Sequence, residues 1–89
     1  LDIAGDGELR TALSARAKER GVDVQFLGSL PNDDLPPLYN SYPVFVLPSH
    51  YEGNPKTLLE AMACGRAVIG TAVPGIASVI APEQSGLLC

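Results

Sequence analysis

The sequence is poor in the side chains that most often build metal and redox sites. It contains one histidine, His50, and two cysteines, Cys64 and Cys89, which are too far apart in the chain for a CxxC pair. A multi-histidine metal site is therefore excluded within this chain, and neither a zinc site nor a redox pair is indicated. We expect both cysteines to be reduced and the protein to be cytoplasmic.

Basic residues are also scarce, because six lysines and arginines stand against ten aspartates and glutamates, and the net charge is −4. A nucleic-acid surface would need a basic face to neutralise phosphates, so nucleic acid is not expected as a partner. No apolar run approaches the ~20 residues of a membrane-spanning helix. The charge balance does not exclude a small-molecule ligand.

Apolar residues, by contrast, are frequent enough for a globular fold. Hydrophobic residues make up 46% of the chain and charged residues 18%, a balance typical of globular rather than disordered proteins. Its 89 residues form one domain at most, residues 1–89. The chain has no initiating methionine and begins within a predicted strand, so we expect it to be part of a longer protein.

Short apolar segments alternate with segments of helical periodicity, the first of which ends at Gly21. Pro36 and Pro37 fit only the first turn of a helix, so the helix that contains them must start late, around Asp33 or Asp34, or be kinked. Strands that alternate with helices predict βαβ units. We therefore expect an α/β fold, a Rossmann-like parallel sheet with flanking helices. The predicted strands are residues 1–4, 22–28, 44–47, 67–71 and 87–89.

The segment of residues 52–65 is the part of the chain that looks built for chemistry. It follows a predicted buried strand and a short loop, which is where parallel α/β sheets bind ligands. Asn54 is suited to cap a helix, and Pro55 is suited to its first position. The main-chain N–H groups of Lys56 and Thr57 would then be free to bind an anion or a hydroxyl-rich ligand.

Two glutamates of this segment, Glu52 and Glu60, are eight positions apart. Leu58, Leu59 and Met62 are expected to pack inward from the helix that carries Glu60. The carboxylate of Glu60 would then lie on the other side, where it could accept hydrogen bonds from both hydroxyls of a diol. Glu52, taken alone, is better explained by the helix macrodipole than by a ligand.

These segments resemble the donor half of a GT-B retaining glycosyltransferase of the family 4 type, the C-terminal domain of glycosyltransferase group 1. The diagnostic part is a glutamate pair spaced E-x7-E, here Glu52 and Glu60 in EGNPKTLLEAMACG. It is supported by IAGDGELR, VQFLGSL, VFVLPS, VIGTAVPGI and SGLLC, in the family's order. Many members read EGFG where this chain reads EGNP, so Pro55 removes one backbone donor.

The resemblance implies a role for each matching residue. Glu60 would hold the ribose hydroxyls of the nucleotide, and Glu52, the candidate catalytic residue, would face the donor sugar near its transferring carbon. Main-chain groups around Ser29 and Leu30 would read the base edge. Main-chain groups at the helix start would contact the sugar hydroxyls and the diphosphate, and these belong to Gly53, Asn54, Pro55, Lys56 and Thr57.

The same resemblance implies that the whole protein moves a sugar from a nucleotide-diphosphate sugar to an acceptor hydroxyl, with retention of configuration and with no cofactor or metal. The acceptor, a glycan, a lipid or a small molecule, would bind an N-terminal domain outside this chain. We therefore expect no transfer by these 89 residues alone. Peripheral attachment of the whole protein to the inner membrane face is compatible with this location. Two alternatives stay open, a GT-B nucleotide-sugar epimerase and a noncatalytic Rossmann-like binding module.

In the resembled fold a strand that precedes this chain lies between residues 1–4 and 44–47, in the strand order 3-2-1-4-5-6. Without it, either those two strands pair directly or two unpaired edges face each other, which invites association. The family's basic pair for the diphosphate follows the same preceding strand.

Overall fold

The structure, a computed structural model, describes all 89 residues, and the chain divides into two compact units, Leu1–Asp34 and Leu35–Cys89. The first unit consists of β1 (Asp2–Ala4), α1 (Arg10–Glu19), β2 (Gln25–Gly28) and a 3₁₀ turn at Asn32–Asp34. β1 and β2 are parallel, so they form one βαβ unit with α1 as the crossover.

The second unit consists of three helices and three strands in alternation. They are α2 (Leu35–Asn40), β3 (Val44–Leu47), α3 (Lys56–Ala63), β4 (Ala67–Gly70), α4 (Pro74–Ala77) and β5 (Leu87–Leu88). Their strands form one parallel sheet in the order β3-β4-β5. The buried core of this unit is apolar and comprises Tyr39, Leu58, Ala61, Val68, Ile76 and Ile80.

The predicted α/β class, with parallel strands and flanking helices, is confirmed. The strands are divided between two sheets, β1-β2 and β3-β4-β5. β1 and β3 therefore do not pair with each other, and the first of the two arrangements predicted for residues 1–4 and 44–47 is wrong. Each of these strands has a partner on one side only, β2 for β1 and β4 for β3.

The predicted boundary of the second strand is wrong by three residues, and the reason is the way α1 ends. Gly21 has a φ of 68° and donates its N–H to Lys18 O, and Val22 donates to Ala17 O at 2.9 Å. These two bonds are those of a Schellman motif, which needs a residue in the left-handed region at the position of Gly21. Val22 therefore closes α1, and β2 begins only at Gln25.

The late start predicted for the helix with two prolines is confirmed, because a 3₁₀ turn covers Asn32–Asp34 and α2 begins at Leu35. Pro36 and Pro37 then lie in its first turn, where the missing N–H groups have no intrahelical acceptor. None of the helices is long and apolar enough to span a bilayer.

Candidate functional site

The candidate site lies at the carboxyl end of β3, where the chain leaves the sheet and leads to α3. Leu47 and Gly70, the last residues of β3 and β4, are direct neighbours in the register of the sheet. The segments that follow them therefore start side by side, and Thr71 donates its N–H to Leu47 O at 3.4 Å. The carboxyl ends of adjacent parallel strands are where α/β folds bind ligands, so a ligand site is expected at this edge.

Glu52 is half-buried in the segment after β3, and its carboxylate has a protein partner. The Ser49 hydroxyl donates a hydrogen bond to Glu52 Oε1 at 2.9 Å. Ser49 is itself held from the second strand end, because the Thr71 hydroxyl donates to the Ser49 carbonyl oxygen. Two loops thus cooperate to set the position of the Glu52 carboxylate.

The main chain of this segment also packs tightly. Gly75 is buried in α4 and lies against the main chain of Glu52 and Gly53. The Ser78 hydroxyl donates a hydrogen bond to the Gly75 carbonyl oxygen at 3.0 Å. The start of α4 therefore supports the segment that carries Glu52.

The start of α3 differs from the prediction by one position. Pro55 is buried and occupies the N-cap. The helix α3 therefore begins at Lys56, and no side chain caps it. Asn54 does not cap the helix through its side chain; its carbonyl oxygen instead accepts the Lys56 N–H at 2.9 Å. The predictions that Asn54 caps the helix and that Pro55 begins it are therefore wrong, because the chain turns once more before α3 starts.

This shift changes which main-chain donors are open. The Lys56 N–H, predicted to be free, is engaged by Asn54, whereas the N–H groups of Thr57 and Leu58 donate to no protein acceptor. The sequence-based reasoning missed Leu58, and the signal that could have shown it is the proline, which can serve as an N-cap without offering a side-chain acceptor. Two open N–H groups at the positive end of a helix favour an anionic ligand group.

Glu60 is half-buried on α3 and bonds to a side chain of α2. The Tyr39 hydroxyl donates to Glu60 Oε2 at 3.1 Å. Burial of the phenol raises the pKa of Tyr39 to about 12, and the hydrogen bond and negative charge of Glu60 add to the shift. The Tyr39 ring meets Phe45 edge to face, with ring centres 5.7 Å apart and planes at 87°. Tyr39 is therefore a rigid donor to this carboxylate.

The other oxygen of Glu60 is left open. Oε1 has no protein donor, and every buried side-chain polar atom of the chain has a partner, so Oε1 is accessible to solvent. The environment predicted for Glu60 is correct in part, because Leu58 is fully buried and Met62 packs against the core, but Leu59 is 42% exposed. An accessible carboxylate oxygen beside a held one can accept a hydrogen bond from a ligand hydroxyl.

The remaining predicted residues lie as follows. Ser29 and Leu30 form the loop after β2 in the first unit, and their contact with a base stays a prediction. His50 and the side chain of Lys56 are exposed, and Cys64 is half-buried and forms no disulfide. Glu52, the open helix start and Glu60 thus all belong to the same compact unit, Leu35–Cys89.

A family model described as "Glycosyl transferases group 1" matches residues 1–89 of this chain. Among curated proteins, an uncharacterized glycosyltransferase of Methanocaldococcus jannaschii is 40% identical over 89 residues, which cover 98% of this chain and 23% of the relative. A 2-deoxystreptamine N-acetyl-D-glucosaminyltransferase of Streptomyces fradiae is 33% identical over 88 residues, which cover 97% of this chain and 21% of that protein.

Solved structures show the same likeness. The HepE protein of Anabaena in complex with UDP-glucose superposes with a TM-score of 0.89 at 25% identity, over 99% of this chain and 26% of that chain. A second HepE structure, in complex with UDP and glucose, gives the same TM-score of 0.89 at 23% identity, over 98% of this chain and 25% of that chain. The chain spans about a quarter of the length of the relatives it matches.

Proposed function

Because the chain belongs to the glycosyl transferases group 1 family, we propose that it is the donor-binding part of an enzyme that transfers a sugar from a nucleotide-diphosphate sugar to an acceptor hydroxyl. The fold is that of part of a GT-B glycosyltransferase. The UDP-glucose in the HepE complex supports a nucleotide-sugar donor as the ligand class.

The observation that carries the proposal is the pair of carboxylates placed before and after an uncapped helix start. Glu52 is held by Ser49 and Glu60 by Tyr39, and the open N–H groups of Thr57 and Leu58 lie between them in the chain. A nucleotide-diphosphate sugar has hydroxyls at both ends and a doubly charged group in the middle. Its sugar, diphosphate and ribose correspond in order to these three features.

In this proposal Glu60 accepts hydrogen bonds from the ribose hydroxyls, and the open N–H groups at the start of α3 bind the diphosphate. The Thr57 and Leu58 N–H groups donate hydrogen bonds to the diphosphate from the start of the helix. Main-chain groups of Gly53 and Asn54 contact sugar hydroxyls. Anions at a helix N-terminus are stabilised by both the free donors and the macrodipole. Binding of the diphosphate therefore needs few basic side chains from this unit.

Glu52 would face the transferring carbon of the sugar. A carboxylate fixed there stabilises the positive charge that develops as the bond to the diphosphate breaks. We assign the enzyme to the retaining, family 4 type, in which the leaving diphosphate accepts the proton of the incoming hydroxyl on the same face. This chemistry requires no nucleophile from the protein, and Glu52 acts by charge and orientation.

The test uses the whole protein with three variants, Glu60→Ala, Glu52→Ala and, as the matched control, Glu19→Ala on the exposed face of α1. Nucleotide affinity is measured by calorimetric titration with UDP, GDP and ADP. We expect Glu60→Ala to weaken the preferred nucleotide by about tenfold or more, because a charged acceptor of hydroxyls is lost. Glu52→Ala should leave this affinity within about twofold but lower the transfer rate by roughly 100-fold.

Each result decides one assignment. Unchanged nucleotide affinity in Glu60→Ala would contradict the ribose contact, and an unchanged transfer rate in Glu52→Ala would contradict the sugar contact. Sugar transfer by residues 1–89 alone would contradict the proposal that the acceptor is bound by the rest of the whole protein.

A further inference from the structure

Resting on the proposed function, we propose that Tyr39 is a positioning residue for the nucleotide: its hydroxyl holds one oxygen of Glu60 so that the other is ready to accept a ribose hydroxyl. Nothing in the E-x7-E pattern includes Tyr39, which is 21 residues before Glu60 in the chain. The inference therefore adds a residue from α2 to a site that is otherwise built from residues after β3.

The Tyr39 hydroxyl is a rigidly held hydrogen-bond donor. Tyr39 is 7% exposed, and its ring is fixed edge to face against Phe45. The hydroxyl therefore cannot follow a moving partner. Since this hydroxyl has one proton and gives it to Glu60 Oε2, the position of that carboxylate oxygen is determined by the packing of the core.

The bond from Tyr39 lowers the entropic cost of nucleotide binding. A free glutamate side chain has several rotamers, and a ligand that selects one of them loses affinity. The bond from Tyr39 restricts Glu60 before the ligand arrives and leaves Oε1 without a protein donor. A ribose hydroxyl thus meets an acceptor that is already oriented. The rotamer of Glu60 is restricted by the folded protein, so the ligand does not have to restrict it on binding.

A purely structural explanation predicts something different. A buried tyrosine hydroxyl needs a hydrogen-bond partner, and Glu60 could serve Tyr39 in this way without any ligand. Under that explanation, loss of the hydroxyl changes stability but has no specific effect on a ligand's ribose. Sensitivity to the ribose hydroxyls therefore separates the two.

The experiment compares wild type with Tyr39→Phe, which keeps the ring and its contact with Phe45 but removes the hydroxyl. Ser41→Ala is the matched control, because it also removes one hydroxyl, which donates to Pro37 O at 2.9 Å at the end of α2. The probes are the preferred nucleotide among UDP, GDP and ADP and its 2′,3′-dideoxy analogue, which lacks both ribose hydroxyls. Binding to the whole protein is measured by calorimetry, and thermal unfolding checks that each variant is folded.

We expect Tyr39→Phe to raise the dissociation constant of the nucleotide by roughly three- to tenfold, the range for one lost hydrogen bond. The dissociation constant of the dideoxy analogue should change by less than about twofold, as should both constants in Ser41→Ala. With the sugar nucleotide as donor, KM should rise by the same factor while kcat stays unchanged. In a Glu60→Ala background, Tyr39→Phe should have no further effect on nucleotide affinity.

Two results would overturn the inference while leaving the proposed function intact. One is an equal loss of affinity for the nucleotide and its dideoxy analogue, and the other is unchanged affinity for both. Failure of the proposed function has a different signature, namely a wild-type protein that binds none of the three nucleotides or a Glu60→Ala variant that binds them as tightly as wild type. In that case the inference falls with it.

Discussion

A Cβ atom placed on Gly75 would lie 1.9 Å from the carbonyl oxygen of Glu52 and 2.9 Å from that of Gly53. Both neighbours are main-chain atoms, so no side-chain rotation can make room. The absence of a side chain at Gly75 is therefore a condition for the observed path of the segment that carries Glu52.

Gly75→Ala should for this reason lower the free energy of unfolding by about 1–3 kcal/mol or more, the usual range for overpacking. The same shift of main chain should reduce the transfer rate, because Glu52 moves with it. Gly7→Ala is the matched control, since Gly7 has an ordinary φ and nothing within 4 Å of an added Cβ. Chemical denaturation measures the difference, and equal midpoints for the two variants would contradict it.

Ser49→Ala should disturb the orientation of Glu52 without disturbing the fold. The variant loses the 2.9 Å bond to Glu52 Oε1 but keeps the carbonyl oxygen that accepts from Thr71. We expect the transfer rate to fall by roughly three- to tenfold and the free energy of unfolding by less than about 1 kcal/mol. Ser41→Ala removes a bond of equal length in the same unit and should leave the rate unchanged. A rate equal to that of wild type in Ser49→Ala would show that this bond is not needed.

The pKa of Tyr39, raised from 10.0 to about 12 by burial first and by Glu60 second, predicts a loss of stability in alkali. Below pH 10 the phenol is protonated in both the folded and unfolded states, and the contribution of Tyr39 to the free energy of unfolding is fully present. Between pH 10 and 12 the unfolded state loses this proton more readily, so the free energy of unfolding falls, by about 2–3 kcal/mol in total. Tyr39→Phe should lack this part of the pH dependence, as denaturation curves at several pH values would show. Identical slopes for the two proteins would contradict the shift.

Leu58 and Leu59 are adjacent on α3 but should differ widely in their effect on stability. Leu58 is 0% exposed in the core, whereas Leu59 is 42% exposed. Leu58→Ala should lower the free energy of unfolding by about 3 kcal/mol through lost burial and a cavity, and Leu59→Ala by less than about 1 kcal/mol. Urea denaturation of both variants tests this, and similar losses would mean that Leu59 is buried in the protein in solution.

Local features of the fold were predictable because local chemistry determines them. The late start of α2 follows from the fixed φ and missing N–H of Pro36 and Pro37, and the end of α1 follows from Gly21. β3 was predicted at its observed bounds because an apolar run is closed by a proline. The N-cap of α3 was not predicted correctly. A proline fits both the N-cap and the first helical position, and the sequence does not distinguish the two.

Contacts between distant parts of the chain were not predictable from periodicity or spacing. The bond from Tyr39 to Glu60 joins two helices, and the approach of Gly75 to Glu52 joins a helix to a loop. Both depend on how elements pack, which the repeat of apolar residues along one element does not specify. The sequence therefore identifies Glu52 and Glu60 as candidates, whereas the residues that position them are visible only in the structure.

Under the proposed function, the uncapped start of α3 would give the sugar-nucleotide donor a role in secondary structure as well as in chemistry. The N–H groups of Thr57 and Leu58 lack protein acceptors, so their hydrogens should exchange rapidly with solvent in the free protein. Under the proposed function, nucleotide-diphosphate binding should slow their exchange by about tenfold or more. The Arg66 N–H, bonded to Ala61 O at 3.1 Å at the other end of α3, should not respond. Equal exchange with and without the nucleotide would contradict this. Under the proposed function, the diphosphate oxygens would supply the acceptors that the start of α3 lacks, and the hydrogen bonding of this helix would be complete only with the donor bound.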